Sequence, residues 1–196
     1  MNLATVVLED RFVRLEPFAP ELEAEMRAAL DCDPDAWNGM VGAAYGPHFD
    51  AWWASALRAI EGGSRIAWAV RRQGDGAVVG TTSLYEIRPD YRRCEIGSTF
   101  YRPEARGGAI NPACKRLLLA HAFDAGAVRV EIITDRTNPG SQAAIHKLGA
   151  KKEGVLRKHK ITWTGRIRDT IQFAILDDDW PEVRRGLDAR LTAFAA

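Results

Sequence analysis

The chain predicts one α/β domain: a mixed, mostly antiparallel sheet flanked by helices. Three observations carry that reading. Strand-like segments separated by tight turns dominate both ends. The centre reads strand, helix, strand, helix, and its first crossover is long enough for a parallel, right-handed βαβ unit. The 196 residues, 46% hydrophobic and 27% charged, suit one globular unit with a sizeable core, so the domain is expected to span 1–196.

The elements follow in order. Arg11 to Phe18 alternates and reads as a first strand, ended by Pro17 and Pro20. Glu21 to Leu30 is Ala/Glu-rich and helical, and Asp31 to Pro47 is punctuated as a loop. Phe49 to Ile60 places Trp52, Trp53, Ala56, Leu57 and Ile60 at helical spacing before Gly62-Gly63. Ile66–Arg71 and Ala77–Ile87 are strands joined through Gln73-Gly74-Asp75-Gly76. Cys94–Tyr101 is a strand, Ala109–Ala125 a long helix, Ala127–Thr134 an alternating strand and Asn138–Leu148 a helix stopped by Gly149. Lys151–Trp163 and Arg166–Ile175 form a hairpin turning at Thr164-Gly165. Trp180, Val183, Leu187, Leu191 and Phe194 mark a closing helix, with Pro181 suited to its first turn.

Charge and cysteine usage narrow the function. A net charge of +1 gives no reason to expect nucleic-acid or membrane binding. Cys32, Cys94 and Cys114 lack disulfide or metal spacing, as do His48, His121, His146 and His159, so no metal and a reducing compartment are expected. The N-terminus lacks a basic flank and a long apolar core, and no apolar run approaches the roughly 20 residues of a membrane span. The expectation is a cytoplasmic protein.

The most informative stretch runs from Glu95 to Asn111. A strand meets a Pro break, then Arg106-Gly107-Gly108, then a long helix. Free N–H groups and the positive dipole end at a helix N-terminus favour phosphate. Neither the dinucleotide fingerprint nor the P-loop is present. An ordinary Gly-rich strand–loop–helix connection is the other reading of these residues alone.

That stretch resembles the coenzyme A loop of the GNAT N-acetyltransferases, Q/R-x-x-G-x-G/A. Arg106 takes the first position, Ala109 stands where the middle Gly belongs, and Asn111 takes the last small position. A second segment, Asn138-Pro139-Gly140-Ser141 through Lys147-Leu148-Gly149-Ala150, is similar to the family's N-x-x-S-x-x-x-x-x-K-L-G-F signature, with Ala150 for Phe. Glu153 to Arg157 and the tail Asp169, Phe173, Ile175, Leu176 resemble the RimJ/RimL-like branch, named for ribosomal-protein N-terminal acetyltransferases. The resemblance implies two parallel central strands that splay apart, with acetyl-CoA as co-substrate between them. Phe100 and Tyr101 match the backbone that pairs with pantetheine. Arg106, Gly107, Gly108, Ala109, Ile110 and Asn111 match the pyrophosphate cradle. Asn138 and Ser141 match positions near the thioester.

Acetyl transfer to an amine needs a neutral nucleophile, a stabilised oxyanion and a proton for the departing thiolate. Glu95 matches the position where the family often carries an acid or His, and is the candidate base, acting through a water. Its other reading is a solvent-facing strand Glu paired with Arg92 or Arg93. The Tyr that many relatives use on the thiolate is replaced by Ile145, and Ser141 is the candidate acid. Equally, Ser141 reads as a helix N-terminal hydroxyl. His146 lies about 100° round the helix from Ile145 and reads as a surface side chain. Cys94 points to the sheet face opposite Glu95, which argues against a Cys nucleophile. No Ser stands in a nucleophile-elbow context.

The acceptor region is expected within Asp31–Trp53, where Asp31, Asp33, Asp35, Asp50, Trp37, Tyr45, Trp52 and Trp53 suit a cationic amine. The better-supported alternative is core tryptophans and turn-forming aspartates. The basic cluster of Lys151, Lys152 and Arg157-Lys158-His159-Lys160 reads as a solvated hairpin face or a contact for an acidic partner. The leading function is an acetyl-CoA-dependent N-acetyltransferase acting on a protein N-terminus or a small amine. The competing class is a non-catalytic acyl-CoA-binding module. A homodimer through the hairpin Lys151–Ile175 is a further expectation.

Overall fold

Eight strands join in one sheet in this computed structural model, which describes residues 1–194; residues 195 and 196 of the expected domain lie outside the described residues. In chain order the strands are β1 (Leu8–Glu9), β2 (Val13–Pro17), β3 (Arg65–Arg72), β4 (Val78–Arg88), β5 (Arg93–Tyr101), β6 (Arg129–Asp135), β7 (Lys151–Ile161) and β8 (Ile167–Leu176). The helices are α1 (Glu23–Leu30), α2 (Phe49–Glu61), α3 (Ile110–Asp124), α4 (Pro139–Leu148) and α5 (Trp180–Ala193). The spatial order is β1-β2-β3-β4-β5-β6-β8-β7, antiparallel except for the β5–β6 pair that α3 connects. The expected crossover and hairpins are therefore present. The first strand is shorter than Arg11–Phe18, although Pro17 still pairs with Trp68, and the two-residue β1 carries no sequence signal. The segment Asp31–Pro47 contains single helical turns at Pro34–Trp37 and Gly46–His48.

Side-chain alternation splits the core in two. Ile66, Trp68, Val70, Cys94, Ile96, Val130 and Ile132 pack against α3, α4 and α5. Ala69, Val78 and Phe100 pack against α1, α2 and the intervening segment, where Met26, Leu30, Trp37, Phe49, Trp52 and Trp53 are buried.

One irregularity positions the site. Along β5, register runs Ser83↔Gly97 and then Thr81↔Phe100, so Ser98 and Thr99 oppose the single residue Thr82. Ser98 adopts φ 45°, the left-handed geometry of a bulge. Side chains before it alternate with one parity and those after it with the other. Cys94, Ile96 and Tyr101 consequently all reach the α3 face, while Phe100 faces α1 and α2. The bent strand comes so close to β4 that a Cβ at Gly80 would lie 2.1 Å from the Phe100 carbonyl oxygen. Only glycine fits there.

The bend also ends the parallel pairing. Arg93–Ile96 pair with Arg129–Ile132, and the two strands then part. Strand β6 continues through Ile133, Thr134 and Asp135 on β8 alone. The result is a wedge open between the second half of β5 and the end of β6.

Candidate active site

The wedge leads into a cavity of about 1540 Å³ lined by both splayed strands, the start of α3, the start of α4 and the α1–α2 segment. At its mouth Gly107 takes φ 77°, with no atom within 4 Å of where a Cβ would stand. Ala109 takes φ −72° and ψ −22°, so helical geometry at that position needs no glycine. No side chain caps α3. The N–H groups of Gly107, Gly108, Ala109, Ile110 and Asn111 meet no acceptor among the described residues. Successive free N–H groups at a helix start form an anion cradle. Gly107 and Asn111 line the cavity, whereas Ile110 turns into the core and is 7% exposed.

Arg106 is already engaged. Its Nε donates to the Tyr101 carbonyl at 2.8 Å, its Nη1 pairs with Asp33, and its guanidinium lies 5.5 Å from the centre of the Phe100 ring. The Tyr101 carbonyl is thus held from within the protein. The Phe100 ring stacks on Trp37 at 4.6 Å. The Tyr101 phenol is buried in the core without a partner, and burial pushes its pKa well up.

Deeper in, Glu95 is buried at 8% exposure and makes none of the ion pairs of its neighbours. Arg93 pairs with Glu131, and Arg92 donates to the Gly126 carbonyl, so the surface reading of Glu95 does not hold. Burial raises its pKa above 4.5, opposed in part by the positive charges of Lys160 and Arg168. A carboxylate that binds a proton more readily than usual is suited to take one from an amine or a water. Across the wedge, Asn138 caps α4 by accepting from the Ser141 N–H at 2.9 Å. Ser141 lines the cavity, and its hydroxyl makes no hydrogen bond among the described residues. Ile145 lines the cavity beside it, while His146 is exposed and meets the Phe173 ring edge-on at 5.1 Å. Cys94 and Cys114 are buried, and burial pushes each thiol up to about 12. Neither is a nucleophile at neutral pH.

The aspartates of the α1–α2 segment and of the first turn of α2 are largely structural. Asp31 accepts from the Gly46 N–H, Asp35 from Asn38, and Asp50 from Arg27. Trp37 and Trp53 are core. The hairpin tip roofs this segment, with the Trp163 N–H donating to Met40 O at 3.1 Å and its indole to Trp37 O at 3.0 Å.

Sequence reasoning passed over four lining residues. Lys115 is 7% exposed, its Nζ donates to Thr99 Oγ1 at 3.1 Å, and burial lowers its pKa to about 8. Its signal is a charge one turn after Asn111 on an apolar helix face. Arg65 and Arg168 are buried at 6% and 7%. Asp135 is held by Thr137 and Arg166, and despite its burial these bonds keep its pKa below 3.8. Among the described residues no cluster of His, Cys, Asp and Glu is arranged to hold a metal ion. No helix there is long and apolar enough to cross a membrane.

Comparison with known proteins agrees with this geometry. The acetyltransferase (GNAT) domain family matches residues 13–151. YoaA of Bacillus subtilis (strain 168), named as an uncharacterized N-acetyltransferase, is 27% identical over 112 residues. The match covers 57% of this chain and 62% of that protein, so the chain spans less than two thirds of that relative. A GCN5-related N-acetyltransferase from Brucella melitensis is 27% identical, with a TM-score of 0.88 over 96% of this chain and 86% of that one. RimJ from Mycobacterium smegmatis, solved with CoA-disulfide, shares the fold at a TM-score of 0.76 and 21% identity, covering 93% of this chain and 91% of its own.

Proposed function

Because the chain belongs to the GNAT acetyltransferase family, we propose that it transfers the acetyl group of acetyl-CoA to a primary amine, on a small molecule or a protein N-terminus. One observation carries this reading: a cradle of free N–H groups and a buried, proton-seeking carboxylate open into the same wedge-shaped cavity. The unpaired edges of β5 and β6 beyond Ile96 and Ile132 suit an extended chain carrying amides. Bound there, the thioester supplies an activated acetyl carbon. The cradle N–H groups and Arg106 hold the pyrophosphate. Glu95 takes the proton of the attacking amine, directly or through a water. The amine nitrogen then bonds the acetyl carbon as the carbon–sulfur bond breaks. In this reading Ser141 hydrogen-bonds the leaving sulfur, and the proton given up by the amine reaches that sulfur, through Ser141 or solvent, to complete the thiol.

The test is calorimetric titration of the protein with acetyl-CoA, followed by thiol release with peptides bearing free N-termini, polyamines and aminoglycosides. Binding with release on one class supports the reading. Tight binding without turnover on any amine supports a non-catalytic acyl-CoA-binding module instead.

A further inference from the structure

Arg65 is a buried charge with no counter-charge. It opens β3 at 6% exposure, and its Nε and Nη2 both donate to Ser83 Oγ, at 3.1 and 2.9 Å. Nη2 reaches Ser98 Oγ at a long 3.4 Å. Among the described residues these bonds use Nε and Nη2 alone, so Nη1 donates to no acceptor and no carboxylate pairs with the guanidinium. The rings of Tyr85 and Trp52 enclose it, at 4.7 and 5.7 Å from their centres. Arg168, on the other side of the cavity, repeats the pattern. Its Nη1 donates to Gly39 O at 2.8 Å, its Nε is buried without a partner, and Asp135 beside it is taken by Arg166. Both arginines line the cavity that holds Glu95. Two buried cations with hydrogen bonds but no ion-pair partner are costly unless an anion completes them.

The register locates that anion relative to the chemistry. Arg65 pairs with Tyr85, and Tyr85 pairs with Glu95, across adjacent strands. Arg65 therefore stands two strand spacings from Glu95, roughly 10 Å at the backbone. It lies at the Tyr85–Glu95 end of the wedge, whereas the phosphate cradle lies beyond Tyr101. A coenzyme phosphate on the cradle does not serve it. Ser83 takes the Nε/Nη2 side of the fork, which leaves Nη1 and the Nη2 N–H that meets Ser98 only at 3.4 Å, a pair that matches the two oxygens of a carboxylate.

We propose that the acceptor is an amine that also carries a carboxylate, with its amine at Glu95 and its carboxylate on the free end of Arg65, steadied by Ser83 and Ser98. This rests on the acetyl-transfer reading above. The carboxylate can belong to a free amino acid or to an acidic N-terminal residue of a peptide, and the test separates them.

The experiment uses protein saturated with coenzyme A for binding, and acetyl-CoA for turnover. One arm compares alanine and β-alanine with their carboxamides. The other compares Asp-Ala-Ala-amide with Asn-Ala-Ala-amide. The expected result is a preference of about tenfold or more for the carboxylate member in at least one arm, because a site with an unpaired buried cation rejects the neutral analogue. R65Q should bring that ratio close to one while leaving the coenzyme A dissociation constant unchanged. R65K keeps the charge without the fork, and should retain only part of the preference should R65Q fail to fold. Equal behaviour of carboxylate and amide members in the wild type, including no binding of either, overturns the inference. So does a preference that survives R65Q. Failure of the wild type to bind coenzyme A would instead remove the acetyl-transfer reading, and is measured separately.

Discussion

At the scale of single residues, Lys115 makes the sharpest stability prediction. Its ammonium is buried beside Thr99 without an ion pair, and burial lowers its pKa from 10.5 to about 8. Below pH 8 the folded and unfolded chains are both protonated here, so the full cost of burying the charge is present. Between pH 8 and 10.5 the unfolded chain holds a proton that the folded one does not, so this group's destabilisation fades as pH rises. The cost at neutral pH is roughly 3 kcal/mol at most. Lys115→Met should therefore stabilise the ligand-free protein at pH 7 and remove the rise in stability above pH 8. Thermal unfolding across that range checks it, and an unchanged pH profile would contradict it. Glu95 and Ser141 were legible as candidates because motifs flank them. Arg65, Lys115 and Arg168 were not. A charge at a strand end or within a helix reads locally as surface, and here each is met by residues distant in sequence: Arg65 by Trp52 and Tyr85, Lys115 by Thr99 and Arg168 by Gly39.

At the scale of elements, the mouth of the wedge carries a contact that no single segment announces. Asp33, in the left-handed region at φ 48°, pairs with Arg106. The same guanidinium is proposed to meet the pyrophosphate, so Asp33 competes with the ligand. Asn tolerates left-handed geometry and removes the charge. Asp33→Asn should tighten acetyl-CoA binding roughly two- to five-fold, the range of a partly exposed ion pair. Calorimetry reads it, and weaker binding would mean that Asp33 orders the loop rather than competing. The helices and hairpins here followed from periodicity and turn residues. The bulge at Ser98 did not, because it exists only in the pairing of Ser98 and Thr99 with Thr82 on the neighbouring strand, where Gly80 admits the close approach.

At the scale of the molecule, β7 is the outer strand of the sheet, bonded on one side to β8. An unpaired edge is a template for another strand. Val155 and Leu156 are each 40% exposed, and Ile161 and Ile167 in the same hairpin are 63% and 58% exposed. The protein is predicted to form a homodimer through this hairpin, and Val155→Lys with Ile161→Lys should yield monomer in sedimentation velocity. A wild-type monomer at micromolar concentration would refute it. The βαβ centre and terminal hairpin were readable along the chain, since each is a local pattern. The wedge was expected from family resemblance alone, because it exists only where β5 and β6, far apart in sequence, cease to pair.

Whether Glu95 serves as the base in acetyl transfer is decided by the pH dependence of turnover in wild type and Glu95→Gln, with acetyl-CoA affinity measured in parallel. The wild type should lose activity on acidification through a raised carboxylate pKa, above 4.5. The variant should bind acetyl-CoA equally well, turn over about 10²–10⁴-fold more slowly and lack that acidic limb. Full activity in the variant, or an unchanged limb, would exclude Glu95 as the base.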